Sequence, residues 1–123
     1  MTRTSTIDEQ LSEWTAQRDV RIENDDDLAA SRSVEHFASF RRRAAAETAA
    51  EALRAAGFEV VIGRRAFKTL LEATRAETLG DGDVEAFLTV VVPIIESRGG
   101  DYDGWGALIV KSGAAPQPAP DRA

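Results

Sequence analysis

Near the C-terminal end runs Gly100-Asp101-Tyr102-Asp103-Gly104-Trp105-Gly106-Ala107-Leu108-Ile109-Val110, the stretch that most restricts the fold. It opens with turn chemistry, carries one of the two tryptophans and ends apolar. The glycines on either side of Trp105 have no Cβ, so the chain there bulges or lets another group approach the backbone. This is the reading of a last β-strand paired inside a sheet, and the other strands must be found upstream.

Ala30 to Phe40 supplies the first of them. Val34, His36, Ala38 and Phe40 fall on one face with Arg32, while Ser33, Glu35 and Phe37 fall on the other. A helix is predicted from Ser39 to Ala56, with Gly57 in the C′ position that favours glycine. Its inward face is small: Ala45, Ala49, Ala52, Leu53 and Ala56. Phe58 to Ile62 is a β-rich run, Gly63-Arg64-Arg65 a turn, and Ala66 to Ala76 a third strand. Gly80-Asp81-Gly82-Asp83 reads as a loop ending in a helix N-cap. The helix that follows, Val84 to Ser97, has the stripe Val84, Phe87, Leu88, Val91, Ile94 and Ile95. Pro93 inside it removes a backbone donor and predicts a bend near Thr89.

The order is therefore βαββαβ, preceded by an amphipathic helix from Thr6 to Arg18. Ser5 or Thr6 caps that helix, and Ile7, Leu11 and Trp14 share one side of it. Two strand–helix–strand halves predict a ferredoxin-like α+β sandwich, with a four-stranded antiparallel sheet and two helices on one face. The last strand lies beside the first, in the order 4-1-3-2. The expected division is residues 1–28 as an acidic N-terminal helix and linker, 29–111 as the ferredoxin-like domain, and 112–123 as a disordered Pro/Ala tail.

The sequence lacks most catalytic signatures. With no cysteine there is no disulfide, thiolate nucleophile or Cys-based zinc site, which fits a cytoplasmic protein. No N-terminal leader pattern is visible. The longest apolar run, Leu88 to Ile95, is far short of the roughly 20 residues that a membrane helix needs. His36 is the single histidine, so no metal cage is expected, and no cofactor motif or nucleophile elbow occurs. Asp101 and Asp103 read as turn residues rather than an acid–base pair, and Asp25-Asp26-Asp27 as a solvated run rather than a cation site. The expectation is a protein that is not an enzyme.

The net charge of −6 comes from 15 basic and 21 acidic residues, which argues against direct nucleic-acid binding. The acidity is concentrated in the first 27 residues, where eight acids face three arginines. Arg41, Arg42 and Arg43 open the first predicted domain helix, where positive charge opposes the helix dipole. They read as solvated charge, as partners for the acidic arm, or as a binding patch.

One set of motifs carries a resemblance. Ser33-Val34-Glu35-His36-Phe37, then Ala44 to Ala56 running into Gly57-Phe58-Glu59-Val60, then Tyr102-Asp103-Gly104-Trp105-Gly106, is similar to the RraB-like family, regulators of ribonuclease E activity. The likeness spans Asp26 to Val110, and Tyr-Asp-Gly-Trp-Gly is its most specific part. It implies a ferredoxin-like, cytoplasmic, non-enzymatic protein that binds a ribonuclease E-type endoribonuclease and inhibits or redirects its cleavage of RNA. The residues expected to make the protein contact are Glu35, Tyr102, Asp103 and Trp105 on the strands, with Asp25, Asp26 and Asp27 of the arm. The alternative is a ferredoxin-like small-ligand or assembly domain, homodimeric through its open sheet face, which an apolar pocket beneath Trp105 would favour.

Overall fold

A computed structural model describes residues 5–111. The elements run α1 (Thr6–Glu23), β1 (Arg32–Phe40), α2 (Arg43–Ala55), β2 (Glu59–Arg65), β3 (Lys68–Glu77), α3 (Asp83–Glu96) and β4 (Asp101–Ala107). The strands form one antiparallel sheet in the order β2-β3-β1-β4, which is the expected 4-1-3-2 read from the other edge. The fold is α+β with the βαββαβ order of a ferredoxin-like sandwich, and α1 is added in front.

The alternation in β1 sets the layers. Val34, His36 and Ala38 are at most 2% exposed, while Glu35 between them is exposed. The inward residues meet α2 through Ala46, Ala49, Ala50 and Leu53, and α3 through Phe87, Leu88 and Val91. A fully buried leucine such as Leu53 contributes about 2 kcal/mol or more, and the alanines of α2 let the helix lie close to the sheet.

Several boundaries differ from expectation for identifiable reasons. α2 starts at Arg43 rather than Ser39, because Ser39 still pairs with Leu70 on one side and Asp101 on the other. Its buried face is turned from the expected one: Ala46 and Ala50 are buried, while Ala45 and Ala56 are partly buried at its margin. Gly57 follows the helix at φ 95, as its C′ position requires. β2 runs on through Gly63 to Arg65, and Ala66-Phe67 forms the turn into β3. α3 continues through Pro93, which lies on the exposed side, and it buries Val92 where Ile94 was expected. Asp83 is its first residue rather than its cap; the carboxylate folds back to accept from the Gly80 amide at 2.9 Å.

β4 holds the sharpest irregularity. Phe37 faces Gly104, yet Ala38 faces Tyr102, so Asp103 is an extra residue in a β-bulge. Gly104 sits at φ 125, which glycine alone adopts without strain. Leu108 and Ile109 then leave the sheet and are 69% and 40% exposed, so the strand ends earlier than its apolar sequence suggests. The proposed tail, 112–123, lies outside the described residues.

Candidate protein-binding surface

The bulge sorts the residues of β4 into two environments. Tyr102 and Trp105 share the inward face with Ala38 and His36, their partners on β1. Tyr102 is 8% exposed, and its hydroxyl lies 2.8 Å from His36 Nδ1. Burial pushes the Tyr102 phenol well above its usual range. His36 is fully buried, with Phe87 and Phe58 edge-on at 5.1 and 5.7 Å. Burial, reinforced by the nearby Arg75 charge, depresses its pKa to about 3, so the imidazole is neutral.

Trp105 is half-buried between helices. Its ring meets Phe87 of α3 at 5.2 Å and Trp14 of α1 at 5.6 Å, and the Arg21 guanidinium lies over it at 5.8 Å. Neither aromatic is therefore a free contact residue: Tyr102 belongs to the core, and Trp105 is the platform on which α1 docks. Side chains of α1 and α3 pack on the ring of Trp105.

The three aspartates of the arm are separated in the same way. The Asp26 carboxylate is wholly buried. Its Oδ2 accepts from Arg21 Nη1 at 2.9 Å, and its Oδ1 accepts from Arg32 Nη1 at 2.6 Å and from the Val110 amide at 3.1 Å. Burial raises the Asp26 pKa, but Arg32, Arg21 and the Val110 amide outweigh it and hold the group below the usual carboxylate range. Arg21 also donates to the Ala107 carbonyl and Arg32 to that of Leu108. One buried carboxylate thus ties α1, the start of β1 and the end of β4 together. The expected solvated run is half wrong for this reason: an apolar surrounding demands a counter-charge, and the sequence supplies two. Asp27 accepts from the Ala29 amide in a local turn, and Asp25 alone is exposed, at φ 60.

What remains for contact is the sheet face turned away from α2 and α3. No described element covers it. Alternation places Glu35 of β1, Glu72 of β3, and Glu59 and Val61 of β2 there, joined through the Glu35–Thr74–Glu59 and Phe37–Glu72–Val61 rows. Val61 is 61% exposed and Phe37 half-buried. An open groove of about 580 Å³ runs along these residues to the β2 edge, with Glu35, Glu59, Glu72 and Val61 in its wall together with Arg54 of α2 and Phe58. Asp103 is exposed at the bulge. Of the sequence-predicted residues, Glu35 and Asp103 are thus on the surface of the sheet. Glu72 and Val61 were missed, although their alternation with the buried Leu71 and Ala73, and with the partly buried Val60 and Ile62, was available as a signal.

Among the described residues Arg41, Arg42 and Arg43 form no ion pair with the acidic arm: the Asp26 network lies at the opposite end of β1, and Arg43 pairs with Glu47 of its own helix at 3.0 Å. Among the described residues, no group of three or more His, Cys, Asp or Glu is arranged to hold a metal ion, and no helix is long and apolar enough to cross a membrane.

The βαββαβ order and the four-stranded antiparallel sheet define the class as a small ferredoxin-like α+β domain. The chain belongs to the family described as Regulator of ribonuclease activity B, whose family model matches residues 20–107. The match takes in the whole βαββαβ unit and the last turn of α1, including Arg21, Asp26 and Arg32. No curated protein matches the sequence.

Proposed function

We propose that the chain is a cytoplasmic, non-enzymatic regulator that binds a ribonuclease E-type endoribonuclease and slows or redirects its cleavage of RNA. Family membership supports the regulatory role. The observation that carries the choice of surface is the uncovered sheet face, where Glu35 and Glu72 border the exposed Val61. Carboxylates set between apolar side chains, as Glu72 is between Val61 and Phe37, suit a partner surface that offers both basic and apolar groups. Asp103, exposed at the bulge, adds to the acidic surface and Asp25 is a separate exposed acid after α1, while Tyr102, Trp105 and Asp26 act by holding the sheet and α1 in place.

The test is a cleavage assay with a purified ribonuclease E-type enzyme and increasing amounts of this protein. Cleavage is expected to slow saturably. The paired change Glu35→Lys and Glu72→Lys, both at exposed positions, is expected to weaken the effect about tenfold or more. An unchanged cleavage rate sinks the regulator reading. Inhibition that is indifferent to the paired change moves the contact off this face.

A further inference from the structure

A two-residue hairpin turn usually carries Asn or Gly, because its backbone demands positive φ. The β2–β3 turn is instead Ala66-Phe67, closed by the Arg65–Lys68 pair. Ala66 sits at φ 54, a left-handed conformation that its Cβ disfavours. Phe67 is 94% exposed and contributes nothing to the core. A sequence selected only for a stable hairpin would have neither residue here, so the tip is shaped by something other than folding.

The register gathers charge around this ring. Arg64 and Arg65 end β2, and Lys68 begins β3. Thr69 pairs with Arg64 on one side and with Phe40 on the other. Arg41, Arg42 and Arg43 therefore leave β1 two strand spacings from Arg64, roughly 10 Å. All six cations are exposed. Arg43 is paired with Glu47, and Arg64 donates to the Ala66 carbonyl; the side chains of Arg41, Arg42, Arg65 and Lys68 have no partner among the described residues. On the other side of β1, away from β3, Asp101 of β4 pairs with Ser39, and the Thr6 hydroxyl donates to Glu96, which brings the first-turn acids Asp8 and Glu9 of α1 to that side as well. The net negative charge of the chain thus hides a positive corner around the β2–β3 turn.

We propose that this end of the sheet is a binding site for single-stranded RNA, in which Phe67 stacks on a base and the surrounding cations hold the flanking phosphates. The cations alone would suit any polyanion, since arginine forks match carboxylate and phosphate alike. The ring decides between them. Protein contacts bury their aromatic anchors in clusters sealed by a rim, whereas Phe67 stands alone among charges. A lone exposed ring beside a basic track is the arrangement that takes up unpaired bases. The site is separate from the ribonuclease-binding reading, and its test contains no ribonuclease.

The test is fluorescence anisotropy of a labelled oligouridylate of about 15 nucleotides, titrated with the full chain. Saturable binding is expected at about 50 mM salt. Four phosphate contacts give a log–log salt slope near −3, hence about fiftyfold weaker binding at about 200 mM. Phe67→Ala is expected to weaken binding about fivefold or more and Phe67→Trp to preserve it. Arg65→Glu with Lys68→Glu is expected to abolish binding, and Arg18→Glu, on α1, to leave it unchanged. Circular dichroism of each variant checks that the fold is retained. Absence of binding at the lower salt overturns the proposal, as does a Phe67→Ala variant that binds like the wild type. Displacement of the RNA by polyglutamate at equal charge concentration also overturns it, and assigns the site to an acidic protein segment.

Discussion

The Tyr102 hydroxyl and His36 Nδ1 lie 2.8 Å apart in the core and join β4 to β1 by side chains as well as backbone. His36 Nε2 is buried without a hydrogen-bond partner among the described residues. If Nδ1 carried the proton, both the tyrosine proton and the Nε2 lone pair would lack partners. With the proton on Nε2, the hydroxyl donates to Nδ1 and only Nε2–H is left over, so this tautomer is the favoured one. Tyr102→Phe should then strand Nδ1 and destabilise the fold by about 1–3 kcal/mol, read from urea denaturation. Adding His36→Leu should recover part of that loss, because both polar partners are then gone. A double variant whose loss equals the sum of the two single losses would show that the pair is not coupled.

The same histidine predicts how stability depends on pH. Its pKa in the fold is about 3, against 6.5 in an unfolded chain. The unfolded state therefore binds a proton that the folded state refuses. The stabilising contribution is present above pH 6.5 and is lost as pH falls toward 3, by at most about 1.4 kcal/mol per unit. Asp26, held below its usual range, adds a loss at the acid end of the same scale. Denaturation midpoints measured between pH 7 and 4 should fall steadily, and the fall should be shallower in a His36→Leu variant that still folds. Equal slopes would mean that His36 is not what titrates.

The layers of this fold are legible in the sequence wherever a strand buries one face only. The alternation of Val34, His36, Ala38 and Phe40 with Ser33, Glu35 and Phe37 identifies the core side of β1. Gly57, at φ 95, marks the end of α2 for the reason that sequence reading assigns to it. What stays hidden depends on pairing. Nothing local says that Ser39 is held by Leu70 and Asp101, so the start of α2 is misplaced by four residues. Nothing local distinguishes Asp26 from Asp25 and Asp27, because the two arginines that bury it lie five and six residues away on other elements. The Tyr102-to-Gly106 motif lies within the family match, yet its two aromatics serve the core and the docking of α1, and within the motif Asp103 is the exposed side chain, because the bulge that sorts them depends on pairing with β1.

Asp26 predicts a large effect from a small change. Asp26→Asn keeps the shape and removes the charge, leaving Arg21 and Arg32 buried without a counter-ion. Their side chains are 9% and 2% exposed. Breaking a buried pair in this way costs about 3–5 kcal/mol. Asp25→Asn, one residue away and exposed, should change stability by less than about 0.5 kcal/mol. Similar effects of the two substitutions, measured by thermal unfolding, would argue against the buried network.

Gly100 predicts overpacking. A Cβ built there would overlap the edge of the Phe40 ring and a methyl of Ile95, both fully or nearly fully buried. Neither can move without disturbing the end of α3 or β1. Gly100→Ala should therefore destabilise by about 1–3 kcal/mol despite adding one methyl group. Gly63→Ala is the control, because a Cβ at Gly63 meets nothing within 4 Å. A stable Gly100→Ala protein would show that α3 and β4 are not packed this closely.

Trp14 governs whether α1 stays on the domain. Of the α1 side chains packed against the core, Ile7, Leu11 and Trp14 are all partly buried, and the Trp14 ring reaches Trp105 at 5.6 Å. Helices in proteins draw most of their stability from tertiary packing, so α1 depends on that face together with the Arg21–Asp26 pair. Trp14→Ala removes the aromatic contact while leaving Arg21 in place. It should lower stability by about 1–3 kcal/mol and loosen the N-terminal turns of α1 more than the C-terminal ones. Hydrogen exchange separates the two ends: amides before Leu11 should lose protection, and those near Arg21 should keep it. Uniform loss along α1 would mean that Trp14, and not the buried ion network, is what holds the whole helix to the sheet.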